Sequence, residues 1–116
     1  MTYAPPAATL VGTALAAPGP AMTLEQGDRF CVRRLHVAPG GSLAPCAHVH
    51  RAEHWIVVSG TGRATIDGAA RLVSENDTVF VPLGAVHGLE NPGRVPLVLI
   101  EVQTGPYLAE DDVLPA

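Results

Sequence analysis

The sequence predicts an all-β fold in a single domain. Three observations carry this. The apolar segments are short and are punctuated by 12 glycines and 11 prolines, which suits strands joined by turns and leaves little room for helices. Several of those segments alternate apolar and polar residues, the period of a half-buried strand. The length of 116 residues, 47% of them hydrophobic, supports one core and is too short for two ordinary domains.

The elements follow in order. Residues 1–22 are rich in Ala, Pro and Gly and almost uncharged; they read as an extended or flexible arm ahead of a domain over 23–116. The arm lacks a positively charged start and its apolar run is broken by prolines, so it does not read as a signal peptide. RFCVRRLHV (29–37) is the first clear strand, and APGG (38–41) turns the chain. SLAPCAHVH leads into a histidine cluster, and HWIVVSG is a buried strand ending at Gly60. GRATIDGAARLVS is a hairpin, with Asp67-Gly68 as a type I′ turn signal. ENDT is a turn, TVFVP a short strand, PLGAVHG a loop and NPGRVP another turn. LVLIEVQT is the last clear strand, and GPYLAEDDVLPA closes as an acidic tail with one helical turn.

Charge and cysteine content exclude some functions. The net charge is −4, and all seven basic residues are arginines with no basic block, so no nucleic-acid partner is expected. No apolar run approaches the roughly 20 residues of a membrane-spanning helix. Cys31 and Cys46 form no CxxC pair, which fits a reduced, cytoplasmic setting.

The chemistry concentrates in HVHRAEHW (48–55), which holds three of the five histidines. On a strand, His48 and His50 project to one side and Val49 to the other. His54 follows across a turn or bulge at Arg51-Ala52 and can swing back to the same face; His87 comes 33 residues after it, behind the turn Pro82-Leu83-Gly84. Four neutral imidazoles around an open position suit a divalent Zn, Fe, Ni or Mn ion, so one metal per chain is expected.

These residues resemble the motifs of the cupin superfamily. The second cupin motif, PxGxxHxxxN, is matched throughout Pro82 to Asn91. The first runs from a glycine to HxH, then after three or four residues to a glutamate, then after six to a glycine. Here it is read as Gly40, His48-Val49-His50, and Gly60, with His54 in the glutamate position and Glu53 one place early. The resemblance implies a double-stranded β-helix, a small jelly-roll barrel, with a metal held by His48, His50, His54 and His87. Residues 27–113 further resemble the isomerase domain of type II mannose-6-phosphate isomerases, often fused behind a mannose-1-phosphate guanylyltransferase. Relative to that family the chain has Val49 for a histidine and Cys46 for a glutamine, and an upstream RPWG segment is reduced to Ala17-Pro18-Gly19.

The implied activity is a metal-dependent aldose–ketose isomerase acting on a sugar phosphate. An Fe- or Ni-dependent dioxygenase and a non-catalytic metal- or ligand-binding cupin are the alternatives. Isomerisation needs a base for the C2 proton; Glu53 and Glu101 are the candidates, Glu101 sharing strand parity with Leu97, Leu99 and Gln103. A phosphate needs arginine, and Arg34, which shares its face with His36, and Arg51, inside the histidine cluster, are the candidates. Cys46 reads as a small buried hydrophobe or a pocket-lining residue, and Trp55, before Ile56-Val57-Val58, as packing. The expected assembly is a homodimer that covers the edge strands and the apolar outer face.

Overall fold

The computed structural model describes residues 21–108 and 112–115. The predicted arm lies outside the described residues up to position 20. Ala21 and Met22, the last two residues of that expected arm, belong to the first strand.

Ten strands follow: β1 (Ala21–Gln26), β2 (Phe30–Val37), β3 (Ser42–His48), β4 (Ala52–Ser59), β5 (Gly62–Ile66), β6 (Ala69–Val73), β7 (Thr78–Val81), β8 (His87–Glu90), β9 (Leu97–Thr104) and β10 (Val113–Pro115). They form two five-stranded sheets, ordered β1-β2-β9-β4-β7 and β10-β3-β8-β5-β6. Neighbouring strands are antiparallel throughout.

Alternation decides which side chains point between the sheets. In β9 every second residue from Leu97 to Gln103 is buried, and in β4 the buried set is Glu53, Trp55 and Val57. Leu35, Val37, Trp55, Val57, Val79, Val81, Leu97 and Leu99 from one sheet meet Ala64, Val73 and Leu89 from the other. Each fully buried large side chain contributes roughly 1.5–3 kcal/mol of transfer free energy, and Leu99→Ala would cost about 2–5 kcal/mol. The opposite face of β4 carries His54, Ile56 and Val58, all exposed.

The hairpin forms as expected, with Asp67 and Gly68 both at positive φ (49° and 86°) between β5 and β6. Gly60 is also held at positive φ (90°), and a Cβ there would strike the Pro96 carbonyl; only glycine fits. Two expectations are corrected. The chain already pairs as a strand before Arg29, because β1 adds to β2 by main-chain bonding although its side chains are mostly exposed. The acidic tail ends in β10, which pairs with β3 from Val113↔His48 to Pro115↔Cys46.

Candidate functional site

Strand β3 delivers Cys46 and His48, two residues apart and therefore on one face. Its neighbour β8 opens with His87, whose Cα is paired with Cys46 across the ladder. The Pro82–Ala85 turn presents His87, and Gly84 (φ 78°) donates its N–H to the His48 carbonyl at 2.8 Å. The turn is thereby tied to the end of β3. From the opposite sheet, β4 contributes Glu53 and Trp55, β9 contributes Glu101 and Gln103, and β2 contributes Arg33. Most of these residues line a cavity of about 150 Å³, together with Leu43, Ala44, Gly88 and Leu89.

The polar groups are tightly interlocked. Cys46 Sγ lies 3.7 Å from His87 Nε2. Glu53 Oε2 lies 3.0 Å from His48 Nε2, and Glu53 Oε1 lies 3.7 Å from His87 Nε2. Gln103 Nε2 donates to Glu53 Oε2 at 3.0 Å. Trp55 Nε1 donates to both buried carboxyls, Glu53 at 3.0 Å and Glu101 at 3.2 Å. Arg33 Nε donates to Glu101 at 2.7 Å. The His87 Nδ1 contact with the Ala85 carbonyl, at 3.0 Å, fixes Nδ1 as the donor and leaves Nε2 free to act as a ligand nitrogen.

This crowding moves the titrations. Hydrogen bonding to His48 and then His87 pulls the Cys46 thiol down to about 6. Burial works against the charged form of His48, but Cys46 and Glu53 outweigh it and raise the imidazole to about 9. Glu53 is held well below the usual carboxylate range: burial opposes ionisation, and the His48 hydrogen bond overcomes it. Burial, reinforced by the charge of Glu53 and opposed by Arg33, pushes Glu101 up to about 7.

A divalent metal fits these residues. The ligand atoms of Cys46, His48 and His87 all lie within 4.8 Å of one another. His48 and His87 both turn Nε2 toward the Glu53 carboxylate, at 3.0 and 3.7 Å; His48 Nδ1, on the other edge of its ring, is buried with no hydrogen-bond partner among the described residues. A thiol, two imidazoles and the facing Glu53 carboxylate form a donor set suited to borderline ions.

The structure does not bring four imidazoles together. Strand β3 ends at His48 and the chain bends through 49–50, so the period-two relation between His48 and His50 lapses. The His50 side chain is 54% exposed and bonds to Asp112 through Nδ1 at 2.9 Å. In β4, Glu53 shares the inward face with Trp55 while His54 points outward against Phe80, with ring centroids 4.7 Å apart. The placements expected of Glu53 and His54 are thus exchanged. The motif spacing carried a signal for this. With Cys46 and His48 as the pair, four residues lead to Glu53 and six more to Gly60; from His54 to Gly60 there are only five.

The arginines are exchanged as well. Arg34 sits exposed on the outer face of β2, and Arg51 is buried in a salt bridge with Asp112 at 3.3 Å. Neither lines the cavity, whereas Arg33 does. Glu101 is at the site, as its parity predicted. Gln103 follows from its parity with Glu101 and Cys46 from the pocket-lining alternative, whereas the parts of Arg33 and the Trp55 indole in this polar network had no signal in the sequence. Asn91, the last residue of the second motif, is structural: its amide donates to the carbonyls of Val37 and Val95 and accepts from Gly93.

Known proteins agree with this architecture. The chain is 54% identical over 92 residues to a mannose-1-phosphate guanylyltransferase of Escherichia coli (strain K12), covering 79% of this chain and 19% of that protein. It is 51% identical over 92 residues to the xanthan biosynthesis protein XanB of Xanthomonas campestris, covering 79% and 20%. The chain therefore spans about a fifth of the length of these relatives. Among solved structures, a double-stranded β-helix protein from Klebsiella pneumoniae superposes with a TM-score of 0.75 at 22% identity, covering 81% of this chain and 83% of that one. An RmlC-like cupin from Shewanella frigidimarina gives 0.73 at 22%, covering 84% and 83%. These likenesses establish the cupin fold. The family model described as mannose-6-phosphate isomerase C-terminal matches residues 13–115, and the chain belongs to that family.

Proposed function

We propose that the protein is a metal-dependent aldose–ketose isomerase acting on a sugar phosphate of the mannose 6-phosphate type. The observation that carries this reading is Glu101, a buried carboxyl pushed up to about 7 beside the thiol–imidazole cluster. A carboxyl poised near neutral pH can both take and return a proton, which is what isomerisation demands. Family membership supports the substrate class.

In this reading His48, His87, Cys46 and Glu53 hold a divalent metal, which when bound supplies Lewis-acid stabilisation of negative charge on the sugar oxygens. The protein's own residues move the protons. Glu101 removes the proton from C2 of the aldose, leaving an enediolate whose negative charge sits on the C1 oxygen. The carboxyl then returns the proton to C1 while the C2 hydroxyl passes its own to the C1 oxygen, giving the ketose. Trp55 Nε1 keeps Glu101 and Glu53 in register. Arg33, the one arginine among the described lining residues, balances Glu101 when it is ionised and faces the phosphate end of the substrate.

The test is to incubate the protein with mannose 6-phosphate in deuterium oxide, with Zn, Co or Mn added, and follow fructose 6-phosphate and deuterium entering the sugar by NMR. Turnover with solvent deuterium, lost in Glu101→Gln, is the expected result. No exchange with any of the metals overturns the isomerase reading. Oxygen consumption by the iron-loaded protein would replace it with a dioxygenase, and metal binding without turnover with a binding cupin.

A further inference from the structure

We propose that Cys46 sets metal choice at this site, binding the ion through its sulfur and selecting Zn(II), with Co(II) and Ni(II) as chemical neighbours, over Mn(II) and Mg(II). The inference rests on the metal site of the proposed function and not on the isomerase chemistry.

Distances carry the first part of the argument. In a tetrahedral site, with a metal–sulfur bond of about 2.3 Å and a metal–nitrogen bond of about 2.05 Å, the two ligand atoms lie about 3.6 Å apart. The right angle of an octahedral site would bring the same atoms to about 3.1 Å. Cys46 Sγ and His87 Nε2, in direct hydrogen-bond contact, are 3.7 Å apart, a separation that a tetrahedral ion can span with little movement of either group. His87 Nε2 is available because Nδ1 is committed to Ala85.

The second part is the chemistry of the donors. His48 faces the same cavity, with its Nε2 3.0 Å from Glu53 Oε2. Thiolate sulfur is soft and polarizable; it favours Zn(II) and its neighbours, while Mg(II) and Mn(II) prefer oxygen ligands and retain water. A site of two imidazoles and one carboxylate would be far less discriminating. The sulfur makes the difference. The other cysteine, Cys31, lies on β2 and does not line this cavity, which makes it an internal control.

The experiment titrates metal-free protein with Co(II) and follows the near-ultraviolet sulfur-to-cobalt charge-transfer band, then displaces Co(II) with Zn(II) and, separately, measures Mn(II) affinity. The wild type should show the band. Cys46→Ser should bind Co(II) without it and lose roughly tenfold or more in Zn(II) affinity, with Mn(II) affinity hardly changed. Cys31→Ser should keep the band. Co(II) bound to the wild type without the band, or a zinc-to-manganese preference unchanged in Cys46→Ser, overturns the inference while leaving the metal site standing. Failure of the wild type to bind any of these ions removes the metal site and the inference together. A band without isomerase turnover sinks only the isomerase reading.

Discussion

The carboxylate of Asp112 clasps the backbone and ring of His50. It accepts from the His50 N–H at 3.0 Å and lies 2.9 Å from His50 Nδ1, while also receiving the N–H of Val49 and Nε of Arg51. The clasped segment joins His48 at the end of β3 to Glu53 in β4, so a residue near the C-terminus fixes the spacing of two groups at the site. Asp112→Ala removes one partner of the buried Arg51 guanidinium and the carboxylate that receives two backbone donors. It should cost about 1–3 kcal/mol of stability, measured by urea denaturation, and should weaken metal binding although Asp112 is not one of the four residues proposed to hold the ion.

The exchanged positions of Glu53 and His54 give a direct contrast. Glu53→Gln removes a charge that faces both imidazoles and should reduce metal affinity roughly tenfold or more, whereas His54→Ala should change it by less than about twofold. Isothermal titration with Zn(II) reads both. The reverse order would mean that β4 presents its other face to the ion.

Cys46 provides a pH signature in the metal-free protein. With its thiol pulled down to about 6 and His48 raised to about 9, the pair is thiolate and imidazolium between those values. Alkylation by iodoacetamide should rise with pH through about 6 and be near its plateau at pH 7, where an ordinary thiol of about 8.5 would still be mostly protonated. Metal affinity should keep rising toward pH 9, because His48 must give up its proton to bind. An alkylation midpoint above pH 8 would remove the imidazoles from the account.

Glu101 gives a stability signature of opposite sense to the usual carboxylate. Its native value is about 7 and its ordinary value 4.5, so between these the folded state holds a proton that the unfolded chain has released. Wild-type stability therefore falls, through this group, as pH rises across that window, and the loss is complete above about 7. Glu101→Gln has no such proton to lose. Its stability relative to wild type should improve from pH 5 to pH 8 in denaturant titrations; a constant difference would count against the raised value.

Much of the fold was legible because its signals are local. The Asp67-Gly68 turn needs two residues at positive φ, and β4, β7 and β9 alternate cleanly. By contrast β1 offers mostly exposed side chains and β10 has three residues including Pro115, so neither carries a period; only pairing with β2 and β3 makes them strands. At the site, alternation holds only as far as the strand itself. His50 lies beyond the end of β3, where parity no longer holds. The two-residue step from Glu53 to Trp55 and Val57, both expected to pack inside, already placed Glu53 inward. Arg33 lost to Arg34 for a similar reason: both faces of β2 offer an arginine, and only the core residues Leu35 and Val37 tell which side is inner. Asp112 was illegible, since its partners lie 61 to 63 positions away.

Cys46, His48 and His87 stand on one sheet and Glu53 on the other, with the Glu53 oxygens 3.0 and 3.7 Å from the two imidazoles. An ion held by both sets is a rivet through the sandwich. Its departure would then require the Glu53 bond across the sandwich to break, so the residence time of the metal reports on that cross-sheet contact. Binding also raises the apparent stability of the closed form by mass action. A protein that releases its ion slowly and melts higher when loaded would owe both traits to this one cross-sheet contact.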